Sequence, residues 1–97
     1  MYRFRVTVES LPTAGEPEKI QFEVENHDDI LAIAKRATGK LGLEGDAAPA
    51  FVIGLKLFGE TVLQNRALPL FAAIKPALGD FMKAMKEQIR ATGTDQQ

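Results

Sequence analysis

The sequence predicts an α+β fold in two layers, with an N-terminal antiparallel β-hairpin over residues 2–9 and 18–25 packed against helices. Three observations lead there. Tyr2, Phe4, Val6 and Val8 alternate with Arg3, Arg5, Thr7 and Glu9, while Ile20, Phe22 and Val24 alternate with Lys19, Gln21, Glu23 and Glu25. That period of two is the signature of strands with one apolar face. Folding the two runs back about Ala14 sets Arg3 opposite Glu25, Arg5 opposite Glu23, Thr7 opposite Gln21 and Glu9 opposite Lys19, so the polar rows match and a one-residue slip is disfavoured. Beyond residue 26 the apolar spacing changes to that of a helix.

Pro12, Gly15 and Pro17 mark residues 10–18 as the hairpin connection, too long for a two-residue turn and expected to be mobile. Asn26 reads as the N-cap of a first helix over about 27–40. Asp28 and Asp29 lie in its first turn, Lys35, Arg36 and Lys40 fall toward its end, and glycines 39 and 42 stop it. Ile30, Ile33, Ala34, Ala37 and Leu41 form its apolar stripe.

Segment 47–66 fits either period. As a helix it starts at Asp46 with Pro49 in the first turn, sets Phe51, Val52, Leu55, Phe58, Val62 and Leu63 on one face, and sets Lys56, Glu60 and Gln64 on the other. As a third strand, 51–63 alternates only until Phe58 breaks the pattern. The helix is the preferred reading. Gly54 and Gly59 then each cost about 1 kcal/mol relative to alanine, which suggests that another backbone comes close to them. A last helix is predicted over 69–90 with a break near Pro76, its stripe formed by Leu70, Phe71, Ile74, Leu78, Phe81, Met82, Met85 and Ile89. The domain spans residues 1–91, and the polar residues 92–97 are expected to fray.

Ninety-seven residues, 45% of them apolar, are enough for one core and leave no room for a second domain. Without cysteine there is no disulfide, thiolate nucleophile or sulfur-ligated zinc. The charged, alternating first segment is no signal peptide, and no run reaches the ~18 apolar residues of a membrane span, so the chain reads as cytoplasmic. Twelve basic residues against thirteen acidic ones are interspersed, which argues against nucleic-acid binding. Lys35, Arg36, Lys40, Lys75, Lys83, Lys86 and Arg90 read as solvated helix faces, with a weak phosphate-binding patch as the alternative.

His27, the only histidine, has Glu25, Asp28 and Asp29 beside it and is the one candidate for metal binding or general-base chemistry. A second histidine and any zinc-ligand spacing are lacking, so the surface-residue reading is preferred. Ser10, the only serine, sits about 25 Å from His27 along the hairpin, which excludes a serine triad. Glycines 39, 42 and 45 lack the strand and the Lys-Ser/Thr of a phosphate loop. No catalytic residue, metal or cofactor is assigned. Phe81, Met82 and Met85 could form an apolar groove for a partner helix or a dimer seam.

Four segments carry a family resemblance: Phe22 to Ile30 (F-E-V-E-N-H-D-D-I), Gly54 to Glu60 (G-L-K-L-F-G-E), Pro69-Leu70-Phe71, and Pro76 followed by Phe81-Met82. Through them the chain resembles, over about 2–86, a small bacterial family known as domain of unknown function 3861. The resemblance implies a stand-alone bacterial domain with no assigned activity, and it transfers no catalytic residue. The expectation is a non-enzymatic interaction or assembly module, a homodimer whose working surface is a sheet edge or the helix face at Phe81, Met82 and Met85. The alternatives are a small-molecule binder or enzyme built on the turn from Glu25 to Asp29, with His27 and Asp28 as its ligand positions, and a weak nucleic-acid binder acting through the basic helix faces.

Overall fold

The computed structural model describes residues 1–12 and 15–94. Its elements are β1 (Tyr2–Glu9), β2 (Lys19–Asn26), α1 (Ile30–Ala37), α2 (Ala47–Gln64), α3 (Pro69–Ala72) and α4 (Lys75–Thr94). β1 and β2 form an antiparallel two-stranded sheet in the register the charges dictate: Arg3 opposite Glu25, Arg5 opposite Glu23, Thr7 opposite Gln21 and Glu9 opposite Lys19. The side chains depart from strictly facing pairs. Arg3 reaches diagonally to Glu23 at 2.9 Å, and Arg5 reaches the same carboxylate at 3.2 Å. Diagonal neighbours on a strand pair lie within reach of a long guanidinium, so one acid serves both arginines. Beyond Glu9 the Ser10 amide donates to the Glu18 carbonyl at 2.8 Å and the Glu18 amide donates to Ser10 Oγ at 2.7 Å. The tip of the connection expected to be mobile, Thr13 and Ala14, lies outside the described residues.

The first helix begins later than predicted. Asn26 is the last residue of β2, and Asp29 is the cap, its carboxylate accepting from the Ala32 amide at 3.3 Å. Asn26 caps no helix because residues 27–29 are not helical: its Oδ1 accepts from the Asp28 amide at 2.9 Å within a turn, and its Nδ2 donates to the Lys56 carbonyl at 3.1 Å. α1 stops at Ala37, and the chain turns away through Gly39 and Gly42, whose φ values of 77° and 74° suit glycine.

Segment 47–64 is a helix, so no third strand forms from 51–63. Asp46 precedes it in helical conformation without a side-chain cap bond, so its expected capping role is not realised. The buried face of α2 carries Ala48, Val52, Lys56 and Val62, a stripe rotated from the predicted one. Phe58 and Leu63 are exposed, and Lys56, expected on the polar face, is only 6% exposed. Close backbone approach does not explain the helical glycines either, because a Cβ built at Gly54 or Gly59 meets nothing within 4 Å.

The break expected near 76 falls at Ala73 and Ile74, between α3 and α4. Pro76 is the second residue of α4, where a missing amide proton costs no helical hydrogen bond. α4 continues to Thr94, into the segment expected to fray, and 95–97 lie outside the described residues. Among the described residues no helix is long and apolar enough to cross a membrane.

Ala34, Ala37 and Val52 form the centre of the core, with Ile33, Leu41, Phe51, Ile53 and Ile89 packed around them. It lies between α1, α2 and the far end of α4. The hairpin stands largely outside it: β2 touches α2 over a short stretch, Phe4, Val6 and Val24 are half-buried, and Val8 and Ile20 are 62% and 64% exposed. Helices therefore cover the apolar face of the hairpin only in part. The radius of gyration is 15.5 Å, where a compact chain of this length would have about 12.5 Å.

Candidate functional site

The turn from β2 into α1 lands on α2 and is fixed there by polar groups. Asn26, 2% exposed, has both ends of its amide bonded, as the Asp28 amide and the Lys56 carbonyl require. Two residues on, Asp28 receives the Lys56 ammonium at 2.8 Å. The hydrogen bond from Lys56 holds the Asp28 carboxyl below the usual carboxylate range, against the opposing effect of its partial burial. Between them His27 turns to Glu60, with Nδ1 at 2.8 Å from Oε2 and the His27 amide donating to Oε1 at 3.3 Å. Gln64 donates to the same carboxylate at 2.7 Å. Burial acts to raise the Glu60 pKa, but the hydrogen bonds from His27 and Gln64 outweigh it and the net shift is downward. A carboxylate accepting at Nδ1 sets the neutral imidazole as the tautomer with its proton on that nitrogen.

Beside this cluster lies a cleft of about 250 Å³ between α2 and α4. Asn26, His27, Asp28, Lys56 and Glu60 close one side, Val62, Leu63, Leu78 and Met82 supply an apolar wall, and Gly59, Gly79 and Lys75 complete the lining. Of the positions singled out in the sequence, His27, Asp28 and Met82 meet here. Phe81 and Met85 do not. Phe81 is half exposed and sets its ring edge-on to Phe51, with centroids 6.0 Å apart, and Met85 is buried. Met85 instead borders a second groove with Ile33, Ile89, Arg36, Lys86 and Arg90, so part of the two basic segments converges there. A separate groove along β2 is lined by Phe22, Val24, Leu57, Phe58 and Phe71.

Several residues of the cluster escaped the reading by sequence. Lys56, Glu60 and Gln64 were legible only as an i, i+4 polar stripe facing water, and the true partner of His27 comes from α2 rather than from its acidic neighbours in the chain. Gly59 and Gly79 carried no signal for a cleft.

The family model described as a domain of unknown function with a solved structure, DUF3861, matches residues 2–87. The chain belongs to that family. A crystal structure of a protein of unknown function from Pectobacterium atrosepticum SCRI1043 is 32% identical to this DUF3861 chain, covering 89% of it and 97% of the other protein, with a TM-score of 0.81. No curated protein matches it. The DUF3861 assignment thus fixes the α+β fold and carries no activity with it.

Proposed function

We propose that the protein is a non-enzymatic assembly module that pairs with a second copy of itself through the outer edge of β1. The observation that carries this reading is the uncovered hairpin. The chain exposes 7233 Å², whereas a compact monomer of its mass would expose about 5,500 Å². The excess of roughly 1,700 Å² exceeds the ~800 Å² that each partner contributes to a standard interface. Much of the exposed apolar surface is on the hairpin, at Tyr2, Val8, Ile20 and Phe22. A two-stranded ribbon also leaves unpaired backbone groups along both edges.

β1 supports the pairing by its own sequence. β2 has α2 as a neighbour, while β1 has only β2 as a substantial one. Paired antiparallel with its copy about Val6, β1 would set Phe4 opposite Val8, Arg5 opposite Thr7 and Arg3 opposite Glu9. Apolar groups then meet apolar groups, and Glu9, which has no ion pair among the described residues, meets an arginine.

The chain has no cysteine, so crosslinking tests this register cleanly. Val6→Cys places two thiols opposite each other across the two-fold axis, about 5 Å apart at Cβ, and should oxidise to a covalent dimer. Phe22→Cys, at the equivalent centre of β2, should not. Light scattering should show a dimer at micromolar concentration, and Val8→Asp should return it to a monomer with its strand signal intact. A wild-type protein that stays monomeric at that concentration would rule the reading out.

A further inference from the structure

We propose that the cleft between α2 and α4 binds a small monocarboxylic acid with an apolar body. Two features carry it, and neither rests on the assembly reading. The first is the shape of the wall. Gly59 on α2 and Gly79 on α4 both line the cleft, and glycine is the weakest helix former apart from proline. A side chain at either would touch nothing within 4 Å, so packing does not demand them, and what their bare backbones provide is open volume. Val62, Leu63, Leu78 and Met82 make that volume mostly apolar. At about 250 Å³ it lies below the ~300–1,000 Å³ of sites for drug-sized ligands. A single small ring or a short branched chain fits it.

The second feature is charge. Asp28 is neutralised by Lys56, and Glu60 is engaged by His27 and Gln64. Lys75 lines the same cleft, and among the described residues it makes no ion pair and no side-chain hydrogen bond. It is also the first residue of the 20-residue α4, where the positive end of the helix dipole favours an anion. Lys75 is thus a cation of the lining without a partner among the described residues, and beside an apolar wall it complements one carboxylate on an apolar body.

Isotope-labelled full-length protein titrated with isovalerate, benzoate and phenylacetate, each against the corresponding alcohol, tests this by amide chemical shifts. Saturable shifts centred on Gly59, Lys75 and Gly79 are expected at millimolar acid, with weaker binding of the alcohol. Lys75→Gln, a change on the surface, should weaken the acid about tenfold or more and leave the alcohol unaffected. Gly79→Leu should abolish binding of both by filling the space. If no acid gives saturable shifts, if the shifts centre elsewhere, or if acid and alcohol bind equally well, the proposal is overturned.

Discussion

The two ends of the hairpin invert the usual relation between polarity and burial. At its root the polar Asn26 is buried beside Lys56 of α2, itself buried, and toward its tip the apolar Val8 and Ile20 face water. The root is costly to desolvate and is held because every buried polar side-chain atom among the described residues has a partner. Toward the tip the apolar side chains of Val8 and Ile20 are left exposed by the described residues. Two different forces thus act on one ribbon. Directional hydrogen bonds place it on the helices, while its hydrophobic surface at Val8 and Ile20 faces water.

The largest expected effect comes from breaking the root. Asn26→Ala removes both bonds of a buried amide and leaves the Lys56 carbonyl and the Asp28 amide without those partners. It should cost about 3 kcal/mol of stability by urea denaturation. A loss under ~1 kcal/mol would show that the root does not hold the hairpin.

Asp28→Ala should follow at about 2 kcal/mol. It sits below the range for a fully buried pair because the Asp28 side chain is 48% exposed and solvent screens it. Lys56→Met is the sharper companion: it replaces a buried ammonium by an apolar chain of similar length, leaves Asp28 free to hydrate, and should change stability by less than about 1 kcal/mol. Equal losses from the two variants would contradict this view of the pair.

Acid should loosen the root before it reaches the tip. Asp28 and Glu60 have folded-state pKa values below their usual range, so the unfolded chain binds protons more readily at both. Their contribution is complete above about pH 5, shrinks as unfolded carboxylates protonate near pH 4.5, and is lost as the pH falls through the lowered folded values. In the Asp28→Asn, Glu60→Gln double variant, stability measured from about pH 6 to about pH 3 should fall less steeply than in wild type.

The smallest effects belong to the outer hairpin. Arg3→Ala removes one exposed ion pair to Glu23 and should cost about 0.2–0.5 kcal/mol. Ile20→Lys, at a position with no helix over it, should shift the stability of the monomer by no more than about 0.5 kcal/mol. A larger loss at high protein concentration than at low would place Ile20 in an interface.

Much of the frame was legible because it is local. Alternation and facing charges specify the hairpin and its register, and the stripe from Ile30 to Leu41 locates the first helix. The candidate site was half legible. His27 and Asp28 drew notice as a titratable pair at a turn, but their partners lie 28 and 33 residues away on a helix whose polar stripe looks like any solvated face.

By itself the sequence determined the hairpin, its strand register and the family, and it placed the first and last helices in outline, since each depends on neighbours a few residues apart or on motifs along the chain. Only the tertiary structure decided which face of α2 is buried, that Asn26 anchors the hairpin rather than caps a helix, and that a cleft opens between Gly59 and Gly79. Those outcomes depend on which residue distant in the chain partners each buried polar group, and periodicity cannot encode that choice.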